Sequence, residues 1–379
     1  MMKHFCQLTL LILFIAGLSG CEKPKPDILY KKKYVEEIKA ARKKVAFHMA
    51  QNYIAGANVA VSIDGELVYS EGLGLASKDL DVKATRKTKF RVGDLSSLFT
   101  NVLYHKLVEG GILVPDSSVQ FYYPEFPEKK QKITLFHLAN EVSGIHPSYN
   151  NAELKQINTS IQQGIDFFKD DPLEMPPGEM QITNCFNYNL LGAIMEKATG
   201  KKFRELLPEY LTDTLHLDHT VIDNPFATIK DRSDFYEPNV IAQVVNAMFY
   251  DLRVTAPSKG LLSNAEDLVK LGNELLYGDY LSEETMKDFF EPIKLYNDYP
   301  SGMVNGWMIF TDNQGRKVYG REGSVAGGKA SVLIYPEEKM VVGYACNVSS
   351  LVTDTPIFQV ADAFLNTKKA VAKDLIEQQ

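Results

Sequence analysis

Past residue 34 the chain alternates between two hydrophobic periods. Val35, Ile38, Val45 and Met49 recur at the three-to-four-residue spacing of one helix face, which predicts a helix over residues 34–52. From Val59 to Val68 the pattern alternates about Asp64-Gly65, a dipeptide that tolerates the positive φ of a two-residue hairpin. Near the other end, Val332 to Ile334 and Met340 to Ala345 are apolar runs joined by Pro336-Glu337-Glu338-Lys339, and Ile357, Val360, Ala361, Phe364 and Leu365 predict a last amphipathic helix over 356–366. The two ends therefore mirror each other. Between them Leu98 to Leu107, Leu190 to Ala198 and Ala265 to Leu276 read as helices separated by Pro- and Gly-rich loops. The predicted fold class is α+β, an α/β sandwich. One antiparallel sheet holds residues 59–62, 67–70, 332–335 and 341–345 from both chain ends, helices flank it, and a mainly helical region is inserted between its halves.

The first 33 residues read differently. Lys3 and His4 precede an apolar run, Leu8 to Leu18, too short to span a bilayer, so residues 1–20 are predicted to be a signal peptide. Leu18-Ser19-Gly20-Cys21 resembles a bacterial lipobox. That resemblance implies lipidation of Cys21, attachment to the membrane through that lipid, and an extracytoplasmic place in the cell envelope; the plainer alternative is a secretory signal with an incidental cysteine. Residues 21–33, with Pro24, Pro26 and Lys31-Lys32-Lys33, read as a lipidated N-terminus and polar tether, and residues before about 30 are expected to stay off the core. A single domain over 34–370 and a tail over 371–379 complete the division.

Composition narrows the function classes. The 379 residues are 45% hydrophobic and 23% charged, ordinary globular usage that excludes a disordered chain. A net charge of −7, with no basic stripe outside the N-terminal stretch, argues against nucleic acid as a partner. The cysteines at 6, 21, 185 and 346 have neither zinc spacing nor the pattern of a disulfide framework, and no metal or cofactor is predicted.

Several phrases, in order, carry a family resemblance: Phe90-Arg91-Val92-Gly93, Leu107-Val108-Glu109-Gly110-Gly111, Ile133-Thr134-Leu135-Phe136-His137-Leu138, Val142-Ser143-Gly144-Ile145 and Pro177-Gly178-Glu179, then Leu190-Leu191-Gly192, Gly260-Leu261-Leu262-Ser263, Asp267-Leu268 and Gly323-Ser324-Val325-Ala326-Gly327-Gly328. Their order and spacing resemble the serine β-lactamase and penicillin-binding-protein superfamily, in its class C and DD-carboxypeptidase-like branch, from about residue 45 to 366. The resemblance implies a β-lactamase/transpeptidase-like fold, and a serine acyl-transfer site built from three motifs.

At each motif the sequence departs from the pattern. Where the family has Ser-x-x-Lys, the nucleophile and the lysine that helps deprotonate it, this chain has Asp94-Leu95-Ser96-Ser97, so Asp94 stands at the nucleophile and Ser97 at the lysine. No serine in the chain has lysine three residues on. Ser96 and Ser97 read as ordinary residues of a helix N-terminus. The Tyr-x-Asn motif falls on Thr183-Asn184-Cys185, where threonine has no acid–base function near neutral pH. Tyr188 reads as packing. Cys185 is expected to line the cleft, and Cys346, in an apolar strand, to be buried. The third motif, Lys-Thr-Gly or His-x-Gly, falls on Arg321-Glu322-Gly323, whose arginine can orient an anion but cannot shuttle a proton. Losing such a nucleophile and base set costs on the order of 10⁶ in rate. An oxyanion hole from the Asp94 and Ser324 N–H groups would face the Asp94 carboxylate.

The leading expectation is therefore a lipid-anchored, catalytically inactive homologue with a binding or scaffolding role toward a cell-wall peptide, a small molecule or a protein partner. Its cleft residues are Asp94, Ser97, Asn184, Cys185, Arg321, Gly323 and Ser324. Two alternatives stand beside it: a hydrolase working through replaced residues such as Cys185 or Asp94, and a structural or oligomeric protein with a vestigial cleft. Opposite charges at positions that face each other in the family further predict an Asp94–Arg321 ion pair.

Overall fold

The computed structural model describes residues 27–365 apart from 148–153, 158, 240, 242, 297 and 350–353. The signal, Cys6, Cys21 and the tail over 371–379 lie outside the described residues. Among those described, nine strands form one antiparallel sheet: β1 (Ile28–Tyr30), β2 (Gly56–Ile63), β3 (Glu66–Ser77), β4 (Val82–Lys83), β5 (Met303–Val304), β6 (Trp307–Thr311), β7 (Lys317–Val325), β8 (Gly328–Tyr335) and β9 (Met340–Cys346). The strand order is β1-β3-β2-β9-β8-β7-β6-β5, with β4 on the end of β3. The N-terminal hairpin thus joins the C-terminal strands through β2 and β9, in a register that sets Val59 against Tyr344 and Ser62 against Val341. All four predicted strand segments lie in this sheet. Its first hairpin turns at Asp64 and Gly65, both at positive φ as a type I′ turn requires.

Alternation along the strands divides the core in two. Val59, Val61, Leu333, Tyr335, Val342 and Tyr344 face one side, where they pack with Ile38, Ala41 and Val45 of helix α1 (Val35–Gln51) and with Val360, Ala361 and Phe364 of the helix over 357–365. Ala60, Val332, Ile334, Val341 and Ala345 face the other, against the inserted helical region. Three helices matter there: α2 (Ser96–Glu109), α3 (Cys185–Thr199) and α4 (Ala265–Tyr277). Strands buried on both faces explain why 332–334 and 340–345 read as unbroken apolar runs and not as alternation.

Residues 28–34 correct the expected tether. Ile28 to Tyr30 pair with Glu71 to Tyr69 on the edge of β3, Lys31 N–H donates to Val68 O at 2.9 Å, and Lys32–Tyr34 form a 3₁₀ turn into α1. The exposed edge of β3 recruits the preceding chain, and its unpaired backbone groups outweigh the polar composition that marked a linker. Two small sheets also went unpredicted. Phe90–Arg91, Leu261–Ser263 and Val221–Ile222 form one, and Tyr236–Pro238 with Val244–Asn246 the other; pieces of two or three residues carry too little periodicity to be recognised.

Candidate ligand-binding cleft

The cleft forms where β7 passes the turn that enters α2. An added Cβ at Gly323 would lie 2.4 Å from Val92 O and 2.6 Å from Asp94 N, and one at Gly93, whose φ is +55°, would lie 2.6 Å from the Ser324 backbone. Only glycine at both positions allows this approach. The turn is held from behind by two hydroxyls: Ser96 Oγ donates to Gly93 O at 2.8 Å and Ser97 Oγ to Asp94 O at 2.6 Å. Both serines are buried, serving the helix start as the sequence implied. The resulting cleft, about 460 Å³, is lined by Asp94, Thr183, Cys185, Lys259, Ser324 and Glu237 among others.

Asp94 lines the cleft at the point where the turn into α2 meets β7. Its carboxylate accepts the Ser324 N–H at 3.3 Å and lies 3.3 Å from the Lys259 ammonium. Burial works against the charge on Lys259, but the attraction of Asp94, aided by Cys185, outweighs it and the net shift of its pKa is upward. Lys259 therefore remains a cation at neutral pH. Its neighbours are clamped: Thr100 Oγ1 donates to Pro257 O at 2.6 Å, Ser258 Oγ to Asn189 Oδ1 at 2.8 Å, and Leu261 N–H to Ser96 Oγ at 3.1 Å. A segment tied to α2 and α3 in this way points one lysine at Asp94.

Arg321 does not reach Asp94, contrary to the pair predicted from sequence. It shares the inward face of β7 with Gly323 and enters beneath the cleft floor, where its guanidinium donates to Glu141 Oε2 at 3.1 Å and Gly306 O at 3.0 Å. Glu141 is fully buried, at a φ of 57° that a non-glycine residue seldom adopts. Burial pushes its carboxyl above the usual range despite Arg321, while Arg321 is itself held protonated. Two local pairs, Asp94–Lys259 and Arg321–Glu141, replace the predicted one.

The other predicted residues divide between wall and interior. Asn184 and Cys185 line the cleft, but the Asn184 side chain is spent on capping α3, accepting from Phe186 N–H and Asn187 N–H at 3.0 and 3.2 Å and donating to Ile145 O at 3.0 Å. Thr183 is exposed at the rim. Burial pushes the Cys185 thiol up to about 12, with Lys259 opposing, so the thiolate is scarce at neutral pH. Ser97, Arg321 and Gly323, expected in the cleft, lie behind its wall: Ser97 is sealed by the packing of α2, Arg321 by Glu141, and Gly323 by its contact with residues 92–95. Tyr188 is buried, its hydroxyl donating to Ala139 O at 2.9 Å and accepting from Asn101 at 3.2 Å, which is a packing role. Cys346 is likewise buried. Sequence reading missed Lys259 and Glu141. Each directly adjoins or lies beside a recognised phrase, Gly260-Leu261-Leu262-Ser263 and Val142-Ser143-Gly144, and that adjacency was the available signal.

The beta-lactamase family model matches residues 41–359. The chain belongs to the beta-lactamase family. It is 25% identical to the human mitochondrial serine beta-lactamase-like protein LACTB, across 82% of this chain and 76% of that protein. Protein flp of Staphylococcus aureus strain MW2 is 23% identical, across 80% of this chain and 61% of its own length. Among solved structures, the octameric penicillin-binding protein homologue from Pyrococcus abyssi superposes with a TM-score of 0.75 at 23% identity, covering 88% of this chain and 77% of that one. The D-amino acid amidase from Ochrobactrum anthropi SV3 gives a TM-score of 0.75 at 19% identity, covering 88% and 99%. These likenesses establish the β-lactamase and penicillin-binding-protein fold.

Proposed function

We propose that this family member is a non-hydrolytic binding protein of the cell envelope, anchored through a lipid on Cys21, whose cleft holds a ligand without forming an acyl-enzyme. The observation that carries this reading is the engagement of the Asp94 carboxylate by the Ser324 N–H and Lys259, at the position the family resemblance assigns to the nucleophile. A carboxylate in that place repels a developing oxyanion and occupies a donor that would stabilise it. Lys259 is protonated and cannot serve as a base, and Cys185 is mostly a thiol. The lipid anchor and envelope location rest on Leu18-Ser19-Gly20-Cys21 and the apolar run before it.

Acyl-enzyme chemistry supplies the test. A fluorescent penicillin and a fluorophosphonate probe should leave the folded protein unlabelled, and nitrocefin should remain intact. Restoring Asp94→Ser alone should not produce turnover, because nucleophile and base act as a unit; the Asp94→Ser, Ser97→Lys, Thr183→Tyr triple variant is the full restoration. Robust hydrolysis by the unmodified protein that disappears in Cys185→Ala or Asp94→Ala overturns the reading.

A further inference from the structure

We propose that the cleft selects ligands bearing a primary ammonium group and refuses those ending in a carboxylate, with Asp94 setting the selectivity and Lys259 serving as the internal cation that the ligand's ammonium replaces. This rests on the proposed non-hydrolytic site and specifies its ligand class. Three observations support it.

First, the donors suited to an anion are taken. The Ser324 N–H and the Lys259 ammonium both hold the Asp94 carboxylate at 3.3 Å. Asp94 is covalently tethered at that spot, so a free carboxylate competes against a group of high effective concentration. Second, among its described residues the cleft wall is short of one positive charge. Asp94 and Glu237 line it against Lys259, the one cation among the described lining residues. The donors that Glu237 meets among the described residues are neutral, Met248 N–H at 3.2 Å and Ser349 Oγ at 3.4 Å. Beneath the wall the cations already face carboxylates of their own: Arg321 pairs with Glu141 at 3.1 Å, and Arg91 with Asp223 at 2.7 Å, with Arg232 3.9 Å from the same Asp223 carboxylate. A concave wall concentrates the field of that unbalanced carboxylate on whatever enters. Third, the internal pair is accessible. The Asp94 and Lys259 side chains are each 26% exposed, so solvent and ligand reach both, and a lysine ammonium on its flexible stem can yield its place. A cleft of about 460 Å³ suits a ligand of dipeptide size.

Calorimetry on the intact purified protein with three dipeptide probes tests this: alanyl-alanine amide as cation, N-acetyl-alanyl-alanine as anion and N-acetyl-alanyl-alanine amide as the neutral control. The cation should bind at least about tenfold tighter than the anion, and Asp94→Asn should reverse the order by freeing Lys259 and Ser324 for a carboxylate. Lys259→Gln should tighten the cation by several-fold and leave the anion weak, which keeps the test intact if the Asp94 variant misfolds. Equal binding of cation and anion, unchanged preference in both variants, or silence of all three probes to millimolar concentration overturns the proposal. Failure of the non-hydrolytic reading registers separately, as covalent labelling by the penicillin probe.

Discussion

Two ion pairs of opposite character belong to the cleft, one beneath its floor and one in its wall. Arg321 and Glu141 are 4% and 1% exposed, so Arg321→Ala or Glu141→Ala leaves a charge stranded, at an expected cost of about 3–5 kcal/mol. Asp94 and Lys259 sit in a cleft that water enters, and their coupling should be about 0.5–1 kcal/mol. Urea denaturation of the single variants and of the Asp94→Ala/Lys259→Ala and Asp94→Ala/Arg321→Ala doubles identifies the partner of Asp94: a measurable coupling with Lys259 and additive losses with Arg321. A larger coupling of Asp94 to Arg321 than to Lys259 contradicts the arrangement.

At the scale of elements, the site depends on how closely β7 passes the turn into α2. Gly323→Ala places a Cβ 2.4 Å from Val92 O and within 2.6 Å of two backbone nitrogens, where no side chain can rotate away. The strand must move, at about 1–3 kcal/mol or more. Thermal denaturation should register that loss, and the Ser324 amide should exchange its hydrogen faster as it parts from Asp94. Gly302→Ala is the control, because an added Cβ there meets nothing within 4 Å and its cost should be slight. Equal losses in the two variants would mean that the contact at 323 carries no special weight.

Across the whole molecule, the inserted region is bound to the sheet partly through Glu109 at the end of α2. Its carboxylate accepts from Ser282 N–H and Thr285 Oγ1, each at 2.6 Å, and from Lys106 at 3.2 Å. That fixes the segment leading to Phe289 and Phe290, and Phe290 stacks on Tyr319 of β7 with ring centroids 4.0 Å apart. Burial opposes ionisation of Glu109, but the hydrogen bonds from Thr285, Ser282 and Lys106 outweigh it and hold the carboxyl at about 2, against an ordinary 4.5. A depressed carboxyl stabilises the fold above its unfolded value, and the contribution is lost as pH falls. Stability should therefore decline between about pH 4.5 and pH 2 in the unmodified protein. In Glu109→Gln that part of the decline should vanish, leaving a lower and flatter acid limb; identical slopes in the two proteins would remove Glu109 from the account.

Periodicity determined the strand segments near both chain ends, the helices that flank them and the helices between, because a period of two or of 3.6 is written locally into each segment; the expectation that both ends share one sheet was met by the register of β2 against β9. The ordered phrases from Phe90 to Gly328 likewise made the family legible, and the resemblance, counted from them, assigns Asp94, Ser97, Thr183, Cys185 and Arg321 to its motif positions. What needed the tertiary structure was every relation between distant residues. The edge of β3 decided that Ile28 to Tyr30 belong to the sheet, since a strand's open hydrogen bonds are invisible in the segment that will fill them. Space decided the charges as well: Arg321 and Gly323 share a face of β7, yet one turns under the floor to Glu141 while the other presses on the turn of Asp94. Asp94 then met Lys259, 165 residues away in sequence, because Thr100, Asn189 and Ser96 hold the chain around that lysine in place. A side chain's charge is read from its letter, but its partner is set by which backbone segments pack within a few ångströms.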